Sequence, residues 1–210
     1  MSALTCREKT IGVSEMKFVS LVLAILAVGS SHADGDASER REIYNFAAAL
    51  VPSAQMPPAD KDIALMRASL ICGRHRNVYG LDFGVVGNIT DEEMLGCGIA
   101  FIFNRSGNSR SAFQFAGGLN RSDRDFKGLQ MALVVNDVER NFIGLQIGLA
   151  DIADALAGMQ FGGFNKVRSG TGLQLGAVNV AEQFTGVQIG VLNLNLDSPV
   201  PLAPIFNCYF

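Results

Sequence analysis

Between Gly80 and Asn193 apolar and small or amide residues alternate in a short phrase that occurs eight times. It reads GLDFGVVGN at Gly80, GCGIAFIFN at Gly96, AFQFAGGLN at Ala112, GLQMALVVN at Gly128, GLQIGLAD at Gly144, GMQFGGFN at Gly158, GLQLGAVN at Gly172 and GVQIGVLN at Gly186. Successive starts lie 16, 16, 16, 16, 14, 14 and 14 residues apart. Within GLQLGAVN, Leu173, Leu175 and Ala177 fall on one side while Gly172, Gln174, Gly176 and Val178 fall on the other, which is the period of a β-strand. The alternation leaves open which face points inward. It makes Leu175 the expected sensitive position toward a charge, against a core or against lipid, and Gln174 the milder one toward truncation.

The segments between the phrases, such as RSGNSRS from Arg105, RSDRDFK from Arg121 and KVRSGT from Lys166, carry most of the charge and read as exposed loops. Several keep one apolar residue two places before the next phrase: Met94, Phe126, Phe142, Leu156 and Phe184. A repeat this short cannot bury its own apolar face and must lean on its copies. The expected fold is therefore all-β, with the 14- and 16-residue repeats forming an antiparallel meander of about nine strands closed into a small barrel, because closure removes exposed edges. The alternative is a β-solenoid, in which Asn88, Asn104, Asn120, Asn136, Asn165, Asn179 and Asn193 stack as an asparagine ladder. The barrel is preferred because a solenoid needs a second buried strand per coil, and the charged segments offer at most one apolar residue for it.

Residues 63–210 form a single β-repeat domain, with Ile63 to Cys72 as a degenerate repeat and the aromatic end IFNCYF, Ile205 to Phe210, as the strand expected to pair with it and seal the ring. Residues 34–62 are a polar, Pro-rich leader, broken by Pro52, Pro57 and Pro58, within which Phe46 to Val51 could supply an edge strand. Residues 1–33 read as a signal-peptide region: Lys17, the apolar run Phe18 to Val28, then Ser31-His32-Ala33 before Asp34. The polar stretch ahead of it, with Glu8 and Glu15, suits neither a basic n-region nor a domain and points to a start at Met16. Eleven apolar residues are too few for a spanning helix.

The tandem Gly-Leu-Gln-apolar-Gly-apolar-apolar-Asn phrase, seen in GLQIGLAD, GLQLGAVN and GVQIGVLN, resembles that of bacterial exported surface-repeat proteins, over about Ile63 to Phe210. It is also similar to the repeat proteins built as shallow, flower-like β-barrels. The resemblance implies export and an envelope or cell-surface setting, with no established activity. The first three phrases depart from the motif: Asp82 and Gly98 stand in the Gln position, and Ala112 replaces the leading Gly.

Composition agrees with a Gly-rich repeat or membrane-contacting protein, at 49% hydrophobic and 18% charged residues with 23 glycines. A net charge of −3 gives no footprint for nucleic acid. Fourteen Phe against three Tyr and no Trp make a poor aromatic girdle for an outer-membrane barrel. Candidate chemistry is sparse. Cys72, Cys97 and Cys208, left after loss of Cys6, allow one disulfide with one thiol over, and the pairing state is not legible. No Cys-x-x-Cys spacing exists, so no metal ligands are assigned. His75 reads as a solvated residue of an Arg-rich turn, and Asp91, Glu92 and Glu93 as a hydrated charge run. Gln130, Gln146, Gln160, Gln174 and Gln188 read as an amide ladder between strands rather than a ligand-reading comb. Asn88, Asn104 and Asn120 head Asn-x-Ser/Thr triplets that in a bacterial chain signify loop exposure alone. No nucleophile, base and orienting group assemble, so the expectation is a non-enzyme without cofactor and with no assignable catalytic or ligand-binding residue. It would contact lipid, membrane or another hydrophobic partner through its apolar strand face; the alternative is a purely structural surface protein.

Signal cleavage after Ala33 is the direct consequence of the leader's polarity order. N-terminal sequencing of the exported protein should begin at Asp34, and a mature chain retaining Phe18 to Val28 would overturn the secretory reading.

Overall fold

The structure is a computed structural model that describes residues 42–210, so the expected signal peptide and the first part of the leader lie outside the described residues. In it the repeats do not fold back on one another. Residues one period apart pair side by side and in the same direction: Asp62 with Asn77, Gly80 with Gly96, Asn88 with Asn104 and Gln130 with Gln146. The chain winds through β1 (Ile43–Val51), β2 (Ala54–Met56), β3 (Asp62–Ser69), β4 (Cys72–Gly84), β5 (Gly87–Ala100), β6 (Phe103–Ala116), β7 (Leu119–Ser122), β8 (Phe126–Ala132), β9 (Val135–Asn195) and β10 (Leu202–Tyr209). β9 carries four phrases in uninterrupted extended structure, with one winding stacked on the next.

This is a β-solenoid, and the barrel expectation is corrected: closure of a meander needs antiparallel neighbours, and among β1 and β3 to β9 every pairing is parallel. Nor does the terminal strand reach Ile63 to Cys72. β10 lies antiparallel on the last winding, with Phe206 opposite Ile189 and Cys208 opposite Val187. At the other end β2, inside the expected leader, lies antiparallel on β1. A reversed strand thus lies at each end of the described stack, at the N-terminal end only against Ala48, Ala49 and Val51, and blunts the template that an open coil offers for further parallel pairing. Pro204 within β10 withholds one more donor from that edge.

The charged segments that read as loops form the second wall of each coil. In RSGNSRS, Ser106 and Ser109 are buried while Arg105 and Arg110 point out, and in KVRSGT, Val167 is buried between exposed Lys166 and Arg168. Where a coil carries one large apolar residue there, that residue stacks on its copies. Phe126 and Phe142 have ring centroids 5.7 Å apart, and with Leu156, Phe184, Val138, Ala153, Val167 and Ala181 they make a continuous apolar half-core.

Each coil turns a corner at the phrase's leading residue, which needs a backbone conformation that L side chains rarely adopt. Gly172 has φ 135°, and a Cβ there would overlap the carbonyl oxygen of Gly158 on the coil before. Ala112, which occupies this place in the third phrase, does not take the positive φ. Its neighbour Ser111 does, at 51°, and the register shifts between Ser109 and Ala112.

The stack and the ring differ in one distance. Nine register steps separate Arg67 from Asn207, so at ~4.8 Å per step the two ends lie about 43 Å apart. Spin labels on exposed Leu65 and Phe206, with the native cysteines replaced by serine, should report roughly 40 Å, whereas sealing of a ring would bring them within about 15 Å.

Candidate functional site

From the third phrase onward the inward glutamine position is always an amide, and so is the asparagine position in every phrase but the one that begins at Gly144. Gln114, Gln130, Gln146, Gln160, Gln174 and Gln188 are fully buried or nearly so, and each from Gln130 onward donates Nε2–H to Oε1 of the glutamine one coil earlier, at 2.7 to 3.2 Å. The column ends N-terminally at Gly98, where Met94 fills the missing side chain's place and Gln114 donates to its Sδ and to Ser106 Oγ. The asparagines form a second column with opposite polarity, each donating Nδ2–H to Oδ1 one coil later: Asn88 to Asn104, Asn104 to Asn120, Asn120 to Asn136, Asn165 to Asn179 and Asn179 to Asn193. The glycosylation-like triplets therefore begin at buried residues, and their reading as exposed loop is corrected.

Alternation then places Leu173 and Leu175 on the outside, half-buried, on either side of fully buried Gln174. This reverses the expected sensitivities, because a satisfied amide column is a better interior here than a leucine pair. One outer column runs Leu81, Cys97, Phe113, Leu129, Leu145 in register, and beside it Phe83, Ile99, Phe115, Met131, Ile147. A protruding corner follows, with Phe101 77% exposed, Leu133 70%, Val191 69% and Leu149 61%. The wall beyond the asparagine corner is different in kind: Arg74 pairs with Asp91 at 3.0 Å, Arg105 with Asp123 at 2.8 Å, Arg121 with Asp137 at 2.7 Å and Arg168 with Asp154 at 2.5 Å. These are exposed pairs of small individual worth.

His75 is not solvated; it is fully buried in β4. Arg67 Nη1 approaches its Nδ1 at 3.3 Å and Pro57 O lies 3.1 Å from its Nε2. Since guanidinium only donates and a carbonyl only accepts, Nδ1 is the acceptor and Nε2 carries the hydrogen. Burial, reinforced by the Arg67 charge, pushes the imidazole down to about 3, so the ring is neutral. Arg67 is itself fully buried and paired with Asp82 at 2.7 and 2.5 Å, which accounts for Asp in the Gln position: the acid neutralises the guanidinium one coil earlier. All three side chains are sealed from solvent. Asp91 and Glu93 are each tied to an arginine, Arg74 and Arg110 respectively. No group of three His, Cys, Asp or Glu side chains that could hold a metal ion occurs among the described residues. Cys72, Cys97 and Cys208 are free, and burial pushes the Cys72 and Cys97 thiols up, away from the reactive thiolate.

No family profile, curated protein or solved structure matches the chain.

Truncation of Gln174 to alanine orphans Gln160 Oε1, leaves Gln188 Nε2 with Leu194 O alone, and opens a void between the two glutamines. It should lower unfolding free energy by about 2–4 kcal/mol, whereas Leu175→Asp on the outer wall should cost about 1 kcal/mol or less. Urea midpoints of the two variants check the ranking, and Leu175→Asp as the more damaging change would contradict the inward amide column.

Proposed function

We propose that this protein is a non-enzymatic, exported module of the bacterial cell envelope or surface that contacts lipid or another hydrophobic partner through one outer wall of its solenoid. The carrying observation is the juxtaposition of two in-register apolar columns with a protruding apolar corner, against a neighbouring wall whose outward positions are charged. Contiguous exposed apolar surface of this kind marks interaction sites rather than ordinary solvent-facing surface. The reversed strands at both ends support a discrete module over a wall that grows by coil-on-coil addition. Export and the envelope setting rest on the leader sequence and on the resemblance of the repeats.

Vesicle flotation tests the reading. The mature protein should float with phospholipid vesicles and require detergent for extraction from cells. A Phe101→Ser, Leu133→Ser, Val191→Ser triple variant, altered only on the exposed corner, should lose about 100-fold in partitioning if each side chain contributes about 1 kcal/mol on transfer. Equal partitioning of variant and parent, or detergent-free extraction with no lipid in organic extracts of the purified protein, would favour the purely structural reading.

A further inference from the structure

The asparagine column has one foreign member. In the coil that begins at Gly144 the position is Asp151, fully buried, which accepts from Asn136 Nδ2 at 2.7 Å through Oδ1. Everywhere else in the middle of the column the residue that accepts on one side donates on the other. Here the second oxygen, Asp151 Oδ2, has no partner, and neither does Asn165 Oδ1 on the next coil.

The two orphans face the same point. A Cβ built on Gly162 would lie 2.9 Å from Asn165 Oδ1 and 3.0 Å from Asp151 Oδ2. At the equivalent Gly176 the corresponding atoms are Asn165 Nδ2 at 2.6 Å and Asn179 Oδ1 at 3.1 Å, and those two are hydrogen-bonded at 2.7 Å. Asp151 Oδ2 therefore occupies the place of a donor. Other orphans along the two columns are their natural ends: Asn88 Oδ1, preceded in register by Gly73, and Gln188 Oε1, after the last glutamine.

Rotation of the Asn165 amide does not repair the junction. Its Nδ2 already donates to Leu175 O at 2.9 Å and to Asn179 Oδ1, and turning it would set Asn165 Oδ1 against both acceptors. We propose that Asp151 is held as a neutral carboxylic acid whose Oδ2–H donates to Asn165 Oδ1, so that a proton carries the ladder across this coil and makes the middle of the solenoid sensitive to pH. One proton satisfies both orphans, and ionisation leaves two acceptors opposed in a dry interior.

Among the described residues no charged side chain competes for that role. The column neighbours on either side are Asn136 and Asn165, and the neighbouring column presents Gln146 and Gln160. The nearest titratable residues in sequence on the adjoining windings, Asp137, Asp154, Lys166 and Arg168, alternate to the outside, where Asp137 meets Arg121 and Asp154 meets Arg168. Burial, partly offset by the amide of Asn136 and by the backbone N–H groups of Gly148 and Phe161, raises the carboxyl from 3.8 to about 6.

The sign follows from linkage. Between about 3.8 and about 6 the folded protein keeps a proton that the unfolded chain has lost, so the contribution of Asp151 is fully present below the lower value and is lost as pH rises through the upper one. Thermal unfolding of the mature protein and of Asp151→Asn, which restores an amide donor, should therefore coincide near pH 4. The variant should melt higher by about 5–10 °C at pH 7.5, the gap opening between those pH values. The infrared carbonyl band of a protonated carboxyl should be present in the parent at pH 5, absent from the variant, and lost above about pH 6.5. That band decides the matter if the variant fails to fold. An Asp151→Asn protein no more stable than its parent at pH 7.5, or a parent without the band at pH 5, overturns the proposal.

Discussion

A primary amide sealed from water must find a partner, and in a stack of strands spaced by ~4.8 Å the partner within reach is the same amide one coil away. That requirement organises the molecule. It favours parallel, in-register winding, because an antiparallel neighbour would not bring Gln174 onto Gln160 or Asn179 onto Asn165. It also accounts for the change from 16- to 14-residue periods without loss of the column: Gln160 still meets Gln146 across the shorter coil, with one residue removed between the glutamine and asparagine columns and one from the second wall. Each bond contributes only about 1 kcal/mol net, but each break strands two buried groups, so the column is stiffer against disruption than its individual strengths suggest.

Much of this was legible. The period-two alternation, the glutamine and asparagine columns and the single apolar residue per connecting segment are all visible along the chain, and the glutamines were recognisable as a ladder. What stayed open was orientation. Leucine and isoleucine beside glutamine invite the apolar side to be read as interior, whereas an amide partnered by its own copy is indistinguishable in sequence from one partnered by water. The same blindness covered the second wall. RSGNSRS looks like a loop because its inward residues, Ser106 and Ser109, are polar, yet they bond one another at 2.9 Å inside the coil. His75 failed for a related reason, since its neighbours Arg74 and Arg76 point outward from the strand and the imidazole between them does not.

The N-terminal coils show how the column tolerates departures. Gly98 is covered by the Met94 side chain, a flexible thioether that also accepts from Gln114. Arg67 and Asp82 replace two amides by an ion pair, with Arg67 Nη1 further donating to Ile89 O at 2.8 Å. The Asp82 carboxylate accepts what the Arg67 guanidinium donates, and the Met94 side chain fills the volume left at Gly98. These phrases departed from the motif in sequence, and the departures at Asp82 and Gly98 are each met by a neighbour, Arg67 and Met94 respectively.

Placing the amides inward leaves the leucines, isoleucines and phenylalanines of the phrase no option but the outer wall, and it is tempting to regard their exposure as a by-product. The second wall argues otherwise. There the outward positions hold Arg105, Arg121, Lys166 and Arg168, so a coil of this geometry folds with charge outside. Nothing in the ladder, the corner glycines or the apolar half-core requires Leu133 or Phe101 to be apolar, since neither reaches the interior. The apolar character of that wall and corner is therefore information independent of the fold, and its physical consequence is a surface whose free energy falls when water leaves it.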